Sequence, residues 1–138
     1  MISTKNALFP WKPEYSVQHT GIDGQHKQLV TLVNDLYAAM AEREGRAAVD
    51  RILKGLTAYT RTHFSYEEEQ MERGGYPAIQ EHKEHHRRLL QQVELYAEGW
   101  SAGQPVNIVE LATFLKDWLL KHIGQTDRPL AEYLSTQS

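Results

Sequence analysis

Cysteine is missing from all 138 residues, and its absence removes disulfides, iron–sulfur clusters, thiolate zinc sites and thiol catalysis together. Any metal must then be held by nitrogen and oxygen donors. No apolar run approaches the ~20 residues that a membrane span requires. Basic residues are not in excess: 15 Lys and Arg stand against 18 Asp and Glu, a net charge of −3. Without a basic stripe to meet a phosphate backbone, nucleic acid is not an expected partner. The stretch MISTKNALFPWKPEYSV lacks the charged start and apolar centre of a signal peptide. Strand-like alternation and internal repeats are also missing. The expectation is a cytoplasmic, non-membrane protein of one domain covering residues 1–138.

What is present is helical spacing. Residues 1–18 carry two prolines and the aromatics Phe9, Trp11 and Tyr15 without a helical period, and read as an extended arm whose rings can pack across a bundle. From residue 19 onward apolar residues recur in steps of three and four. The first stripe is Ile22, His26, Leu29, Val33, Leu36 and Met40. The second is Val49, Ile52, Leu56, Tyr59, His63, Glu67 and Gln70 or Met71, ending at Gly74-Gly75. The third is Ile79, His82, His86, Leu89, Val93, Tyr96 and Trp100. After a break over Gly99–Pro105, Asn107 and Glu110 form a capping-box pattern. The last stripe is Ile108, Leu111, Leu115, Trp118 and His122. Four helices joined by short loops must run antiparallel to their neighbours, so the fold class is all-α, an up-down-up-down four-helix bundle with an N-terminal arm.

Five histidines and two carboxylates fall on the inward stripes: His26, His63, Glu67, His82, His86, His122 and Asp127. A buried polar group without a partner costs about 1–3 kcal/mol, and a small domain has only ~5–15 kcal/mol in total. A bound metal pair resolves that conflict. His63–Glu67 and His82–His86 are each four apart, one helical turn on the same face. His122 and Asp127 are five apart, which on a regular helix leaves them roughly 140° out of register. Both face inward only if the helix widens or breaks, and an irregularity of π type is expected at Gly124–Thr126.

The segments GIDGQHKQL around His26, HFSYEEEQM from His63, YPAIQEHKEHHRRL with His82 and His86, and WLLKHIGQTD ending at Asp127 resemble hemerythrins, specifically the single-domain bacteriohemerythrins. The resemblance implies a non-haem di-iron site with an oxo or hydroxo bridge. His82, His86 and His122 would ligate one iron, His26 and His63 the other, and Glu67 and Asp127 would bridge them. The second iron then keeps one open position, where dioxygen would bind as hydroperoxide. Because the bridging proton moves onto the bound molecule, the net charge of the centre does not change, and a low-dielectric core imposes little extra electrostatic cost. The resemblance further implies that Phe64, Trp118 and Ile123 wall the dioxygen pocket and exclude water.

The function implied is reversible dioxygen binding for carriage, storage or delivery, not enzymatic turnover, in a monomer that could serve an oxygen-consuming enzyme or a redox partner. A di-iron oxidase or peroxidase is the first alternative, and dioxygen or iron sensing and iron handling the next. Di-iron oxygenases of the ferritin-like class use Glu-x-x-His pairs and four carboxylates, whereas this chain has no such pair and two carboxylates in phase. A structural zinc site would want four ligands, fewer than the seven here. Trp118 and Phe64 also read as core residues, Asp23 as a first-turn helix residue, and His19 and His85 as solvent-facing. Gln125 is a polar residue near the site; pointing inward, it would speed autoxidation. The outer hydrogen-bond partners of the imidazoles are not named by the spacing.

Overall fold

A computed structural model describes residues 8–43 and 45–137. Its helices are α1 (Thr20–Ala41), α2 (Arg46–Gly74), α3 (Ile79–Ser101), α4 (Ile108–Lys121) and α5 (Arg128–Ser135), with a π turn, His122–Asp127, between the last two. The architecture is the expected antiparallel four-helix bundle. α1 packs on α2 and α4, and α2 packs on α3. The π turn joins α4 to α5 with no loop between them.

Local chemistry fixes the ends. Asn107 Oδ1 accepts the Glu110 N–H at 2.9 Å and starts α4, as the capping pattern requires. Gly75 closes α2 in the left-handed region at φ 64°, and the Tyr76 N–H reaches back to the Met71 carbonyl at 3.0 Å. α1 starts on His19, whose Nδ1 accepts the Ile22 N–H at 3.1 Å. His19 is therefore a half-buried cap and not the solvent-facing residue expected, because an imidazole nitrogen can do the work of a capping oxygen.

The N-terminal arm crosses the bundle. Phe9 is fully buried and trades two hydrogen bonds with Asn34: its N–H donates to Oδ1 and its carbonyl accepts from Nδ2, both at 2.8 Å. Tyr15 meets the Phe9 and Trp11 rings edge to face. Asp23, in the first turn of α1, accepts from Ser16 Oγ at 2.6 Å and from the Val17 N–H at 2.8 Å. It staples the arm to the bundle. The expected arm also includes residues 1–7, which lie outside the described residues.

The stripes locate the core with two shifts of phase. In α2 the buried residues are Leu53 and Thr60 where Ile52 and Tyr59 were expected, and Met71 settles the choice left open with Gln70. In α4 the fully enclosed residue of the last turn is Leu119, while Trp118 is half-buried. Both shifts are single steps across a wide apolar face, where either neighbour could turn inward.

Candidate metal centre

Each helix brings its donors to one end of the bundle. His26 lies near the start of α1, His63 and Glu67 in the second half of α2, His82 and His86 in the first half of α3, and His122 and Asp127 at the two ends of the π turn. That turn covers the expected irregularity. The Arg128 N–H donates to the Ile123 carbonyl, five residues back, so a five-residue step closes about one turn and both donors face inward. Pro129 has no N–H with which to continue the ladder. The glycine is not what the geometry demands: a Cβ on Gly124 would meet nothing within 4 Å, and its backbone is not left-handed.

All seven donors are buried, none more than 4% exposed. Asp127 Oδ2 lies 2.6 Å from His26 Nε2 and 2.7 Å from His122 Nε2, while Oδ1 lies 3.2 Å from His82 Nε2. Glu67 Oε1 lies 2.9 Å from His86 Nε2 and 3.4 Å from both His82 and His122 Nε2, and Oε2 lies 3.5 Å from His63 Nε2. Two sets of donors therefore overlap: His26, His63 and His122 with the two carboxylates, and His82, His86 and His122 with the same two. Within each set the ligand atoms lie within 4.8 Å of one another.

The orphaned atoms identify what this arrangement is for. His63 Nε2, His122 Nε2, Glu67 Oε2 and Asp127 Oδ1 are buried without an aligned hydrogen bond, although they crowd against one another. Lone pairs converging on common points without protons between them are what cations satisfy. The residues fit a pair of metal ions sharing two carboxylates.

Electrostatics agree. Burial pushes His63, His86 and His122 toward the neutral form, His122 down to about 3, and neutral imidazole is the ligating species. Burial and then the neighbouring Asp127 charge raise Glu67 well above the usual carboxylate range. Burial also works against ionised Asp127, but the His122 ring beside it, with Glu67 and the hydrogen-bonded His26, holds it well below its ordinary value. Two carboxylates this close cannot both stay charged unless a cation lies between them.

Outer partners, which the spacing left unnamed, are visible. His63 Nδ1 lies 2.7 Å from Gln25 Oε1, and His86 Nδ1 lies 2.9 Å from Glu68 Oε2. With acceptors there, each Nδ1 keeps its proton and each Nε2 turns its lone pair to the centre. His85 is a correction. It is half-buried, not solvent-facing, and its ring lies nearly parallel to those of Trp118 and His122, at 17° and 8°.

Of the three residues expected to wall a pocket, Phe64 is buried and stacks face to face on His86 with centroids 3.8 Å apart. Trp118 stacks on His122 at 4.5 Å. An apolar cavity of about 20 Å³ lies beside them, lined by Phe64, Trp118, Leu119, Leu89, Leu56 and Thr60 among others. Ile123 is buried but does not line it. Gln125 is exposed and lines a surface pocket beside His82, so the inward placement that would speed autoxidation is not found.

Comparison with known proteins points the same way. The family model described as "Hemerythrin HHE cation binding domain" matches residues 19–134. The bacteriohemerythrin of Stenotrophomonas maltophilia is 34% identical over 126 residues, covering 91% of this chain and 81% of that one. The bacteriohemerythrin of Methylococcus capsulatus is 29% identical over 130 residues, covering 94% and 98%. The solved structure of a wild-type hemerythrin superposes with a TM-score of 0.87 at 28% identity, covering 94% of this chain and 99% of that one. Four helices delivering five imidazoles to two shared carboxylates, and a match over nearly the whole length, place this chain in the hemerythrin family.

Proposed function

We propose that the protein binds dioxygen reversibly at a di-iron centre, with His82, His86 and His122 on one iron, His26 and His63 on the other, and Glu67 and Asp127 shared. The overlap of two donor sets on one buried carboxylate pair is the observation that carries this reading. When bound, an iron pair would supply the two electrons that reversible dioxygen binding needs. Everything else falls to the chain's own residues.

With His122 assigned to one side, three imidazoles would stand against two, and the side with fewer donors would be the one to take a small neutral molecule. Gln25 and Glu68 hold His63 and His86 in orientation. Phe64 and Ile123, both buried, keep water from the centre, and the small apolar cavity beside Phe64 has room for little more than one small molecule. Imidazoles outnumber carboxylates five to two, so the donor set releases less electron density than a carboxylate-rich one and is less inclined to split the O–O bond. That favours a carrier, store or deliverer over an oxidase or peroxidase.

The test is iron content together with visible spectra of the reduced, air-exposed and argon-purged protein. Two irons per chain, matching the two donor sets, and a colour that appears in air and fades on purging are expected. Irreversible bleaching or turnover of a reductant would replace this reading with the enzymatic one, and zinc without colour would replace both.

A further inference from the structure

A relay of outer contacts runs round the bundle, each supplied by a residue adjacent in sequence to a donor on the neighbouring helix. Gln25 precedes His26 on α1 and accepts from His63 Nδ1 on α2 at 2.7 Å. Glu68 follows Glu67 on α2 and accepts from His86 Nδ1 on α3 at 2.9 Å. The next imidazole in the series is His122, at the end of α4. Its Nδ1 is buried and has no hydrogen-bond partner among the described residues. The residue that precedes His86 on α3 is His85, and its Nε2 is likewise buried without a partner. The two rings lie 8° from parallel with centroids 5.5 Å apart, and both lie against the Trp118 indole, at 5.1 Å and 4.5 Å.

We propose that His85 is the positioning residue of His122, its Nε2 accepting the His122 Nδ1–H directly or through one water, while Trp118 fixes the plane of both rings. A metal on His122 Nε2 leaves the proton on Nδ1, so His122 is the donor and His85 the acceptor. His85 then carries its own proton on Nδ1. Its ring also lines a surface pocket of about 240 Å³ with Tyr76, Glu81 and Gln125. The contact would complete the relay from α1 to α4 and hold the imidazole that belongs to both donor sets. The inference rests on a metal at His122 but not on dioxygen, and zinc serves as well as iron in testing it.

The experiment is a ¹H–¹⁵N correlation spectrum of the histidine rings in the zinc-loaded full chain, with zinc retention against a competing chelator measured on the same samples. The natural protein is expected to show a slowly exchanging, downfield Nδ1–H at His122. His85→Phe keeps a ring against Trp118 but removes the acceptor. It should move that proton upfield and weaken metal binding ~10–100-fold, the usual cost of losing an outer partner. His85→Gln restores an acceptor oxygen and should recover most of the loss. A His122 Nδ1–H and a metal affinity both indifferent to His85→Phe would overturn the proposal, as would a Gln variant no better than Phe. If the Phe variant does not fold, the natural chain decides: a rapidly exchanging His122 Nδ1–H overturns it. Zinc that leaves the His122 Nε2 signal unmoved overturns the metal reading itself, which is a different failure.

Discussion

The two ends of the bundle are built on opposite terms. At one end Leu36, Leu53, Val93, Ile108 and Leu111 interlock, none more than 2% exposed, and burying each such side chain contributes about 1.5–3 kcal/mol. At the other end seven titratable groups occupy the equivalent depth. Burial there opposes the charges of His63, Glu67, His86, His122 and Asp127, and the orphaned nitrogens and oxygens find no proton partners. The interlocked apolar side chains have no charge to gain or lose, whereas the polar end is destabilised unless something positive occupies it. Stability that depends on pH and metal should therefore reside at one end alone.

Acid should expose that difference most strongly. In metal-free protein His63, His86 and His122 are held below their usual value of 6.5. A base with a lowered folded pKa contributes stability that is full above its unfolded pKa and is lost as pH falls below it. The loss should run from 6.5 down to about 3 for His122, at roughly 1.4 kcal/mol per pH unit for each proton taken up on unfolding. Asp127, held low, adds to the loss below its unfolded value of 3.8, while Glu67, held high, works in the opposite sense above its own 4.5. Three imidazoles outweigh one carboxyl, so denaturant melts should show stability falling steeply through this window. A flat profile would place the destabilised groups elsewhere.

Metal should offset the polar end and leave the other untouched. A metal ion at a thousandfold excess over its Kd stabilises by about 4 kcal/mol, so chelation should lower the melting temperature on the order of 10 °C. Leu111→Ala, in the apolar layer, should cost about 2–5 kcal/mol in metal-loaded and metal-free protein alike. Calorimetry of the four samples measures both differences. Unequal penalties for Leu111→Ala in the two states would mean that the ends are coupled.

A substitution at Glu67 acts differently in the two states. Glu67→Leu should abolish metal binding, because both donor sets depend on that carboxylate, and with it the whole stabilisation by metal. In the metal-free protein it should cost about 1–3 kcal/mol, because the His86 Nε2 that faced the carboxylate at 2.9 Å is left buried without a partner. Retention of two metals per chain by the variant would remove Glu67 from the shared role. His63→Ala is milder: it belongs to one donor set, and metal analysis should find one ion lost before the other.

Much of this was legible in the sequence because helical phase is a strong signal. His26 and His122 substitute for apolar residues without breaking their stripes, and the pairs His63–Glu67 and His82–His86 announce their face by spacing alone. The five-residue step to Asp127 called for a wider turn, and the chain makes one. The residues that escaped, Gln25, Glu68 and His85, sit about 100° off the inward stripe. From there each reaches sideways to the next helix, and periodicity within one helix is blind to that. The rule they suggest is that the neighbour of a donor in sequence serves the donor on the adjacent helix. Ile52 against Leu53, and Tyr59 against Thr60, failed for a simpler reason: a 29-residue helix offers adjacent apolar or mixed positions, and only the partner helix selects between them.

The smallest expected effect asks what holds the π turn. Glycine lowers helix propensity by about 1 kcal/mol relative to alanine, and Gly124 could act by weakening the regular helix that would swing Asp127 away. The structure assigns the work to contacts instead. Asp127 is gripped by His26 and His122 at 2.6 and 2.7 Å, and Arg128 donates to the Ser16 and Glu14 carbonyls at 3.0 Å each. Tyr133 Oη anchors α5 to the Gly74 carbonyl at 2.6 Å. A methyl group on Gly124 would point into open space. Gly124→Ala should therefore leave the metal content unchanged and stabilise the fold by about 0.4–1 kcal/mol, through the entropy of the unfolded chain. Loss of one metal in this variant would show that the turn depends on local propensity, and that the polar end is less firmly held by its neighbours than its hydrogen bonds indicate.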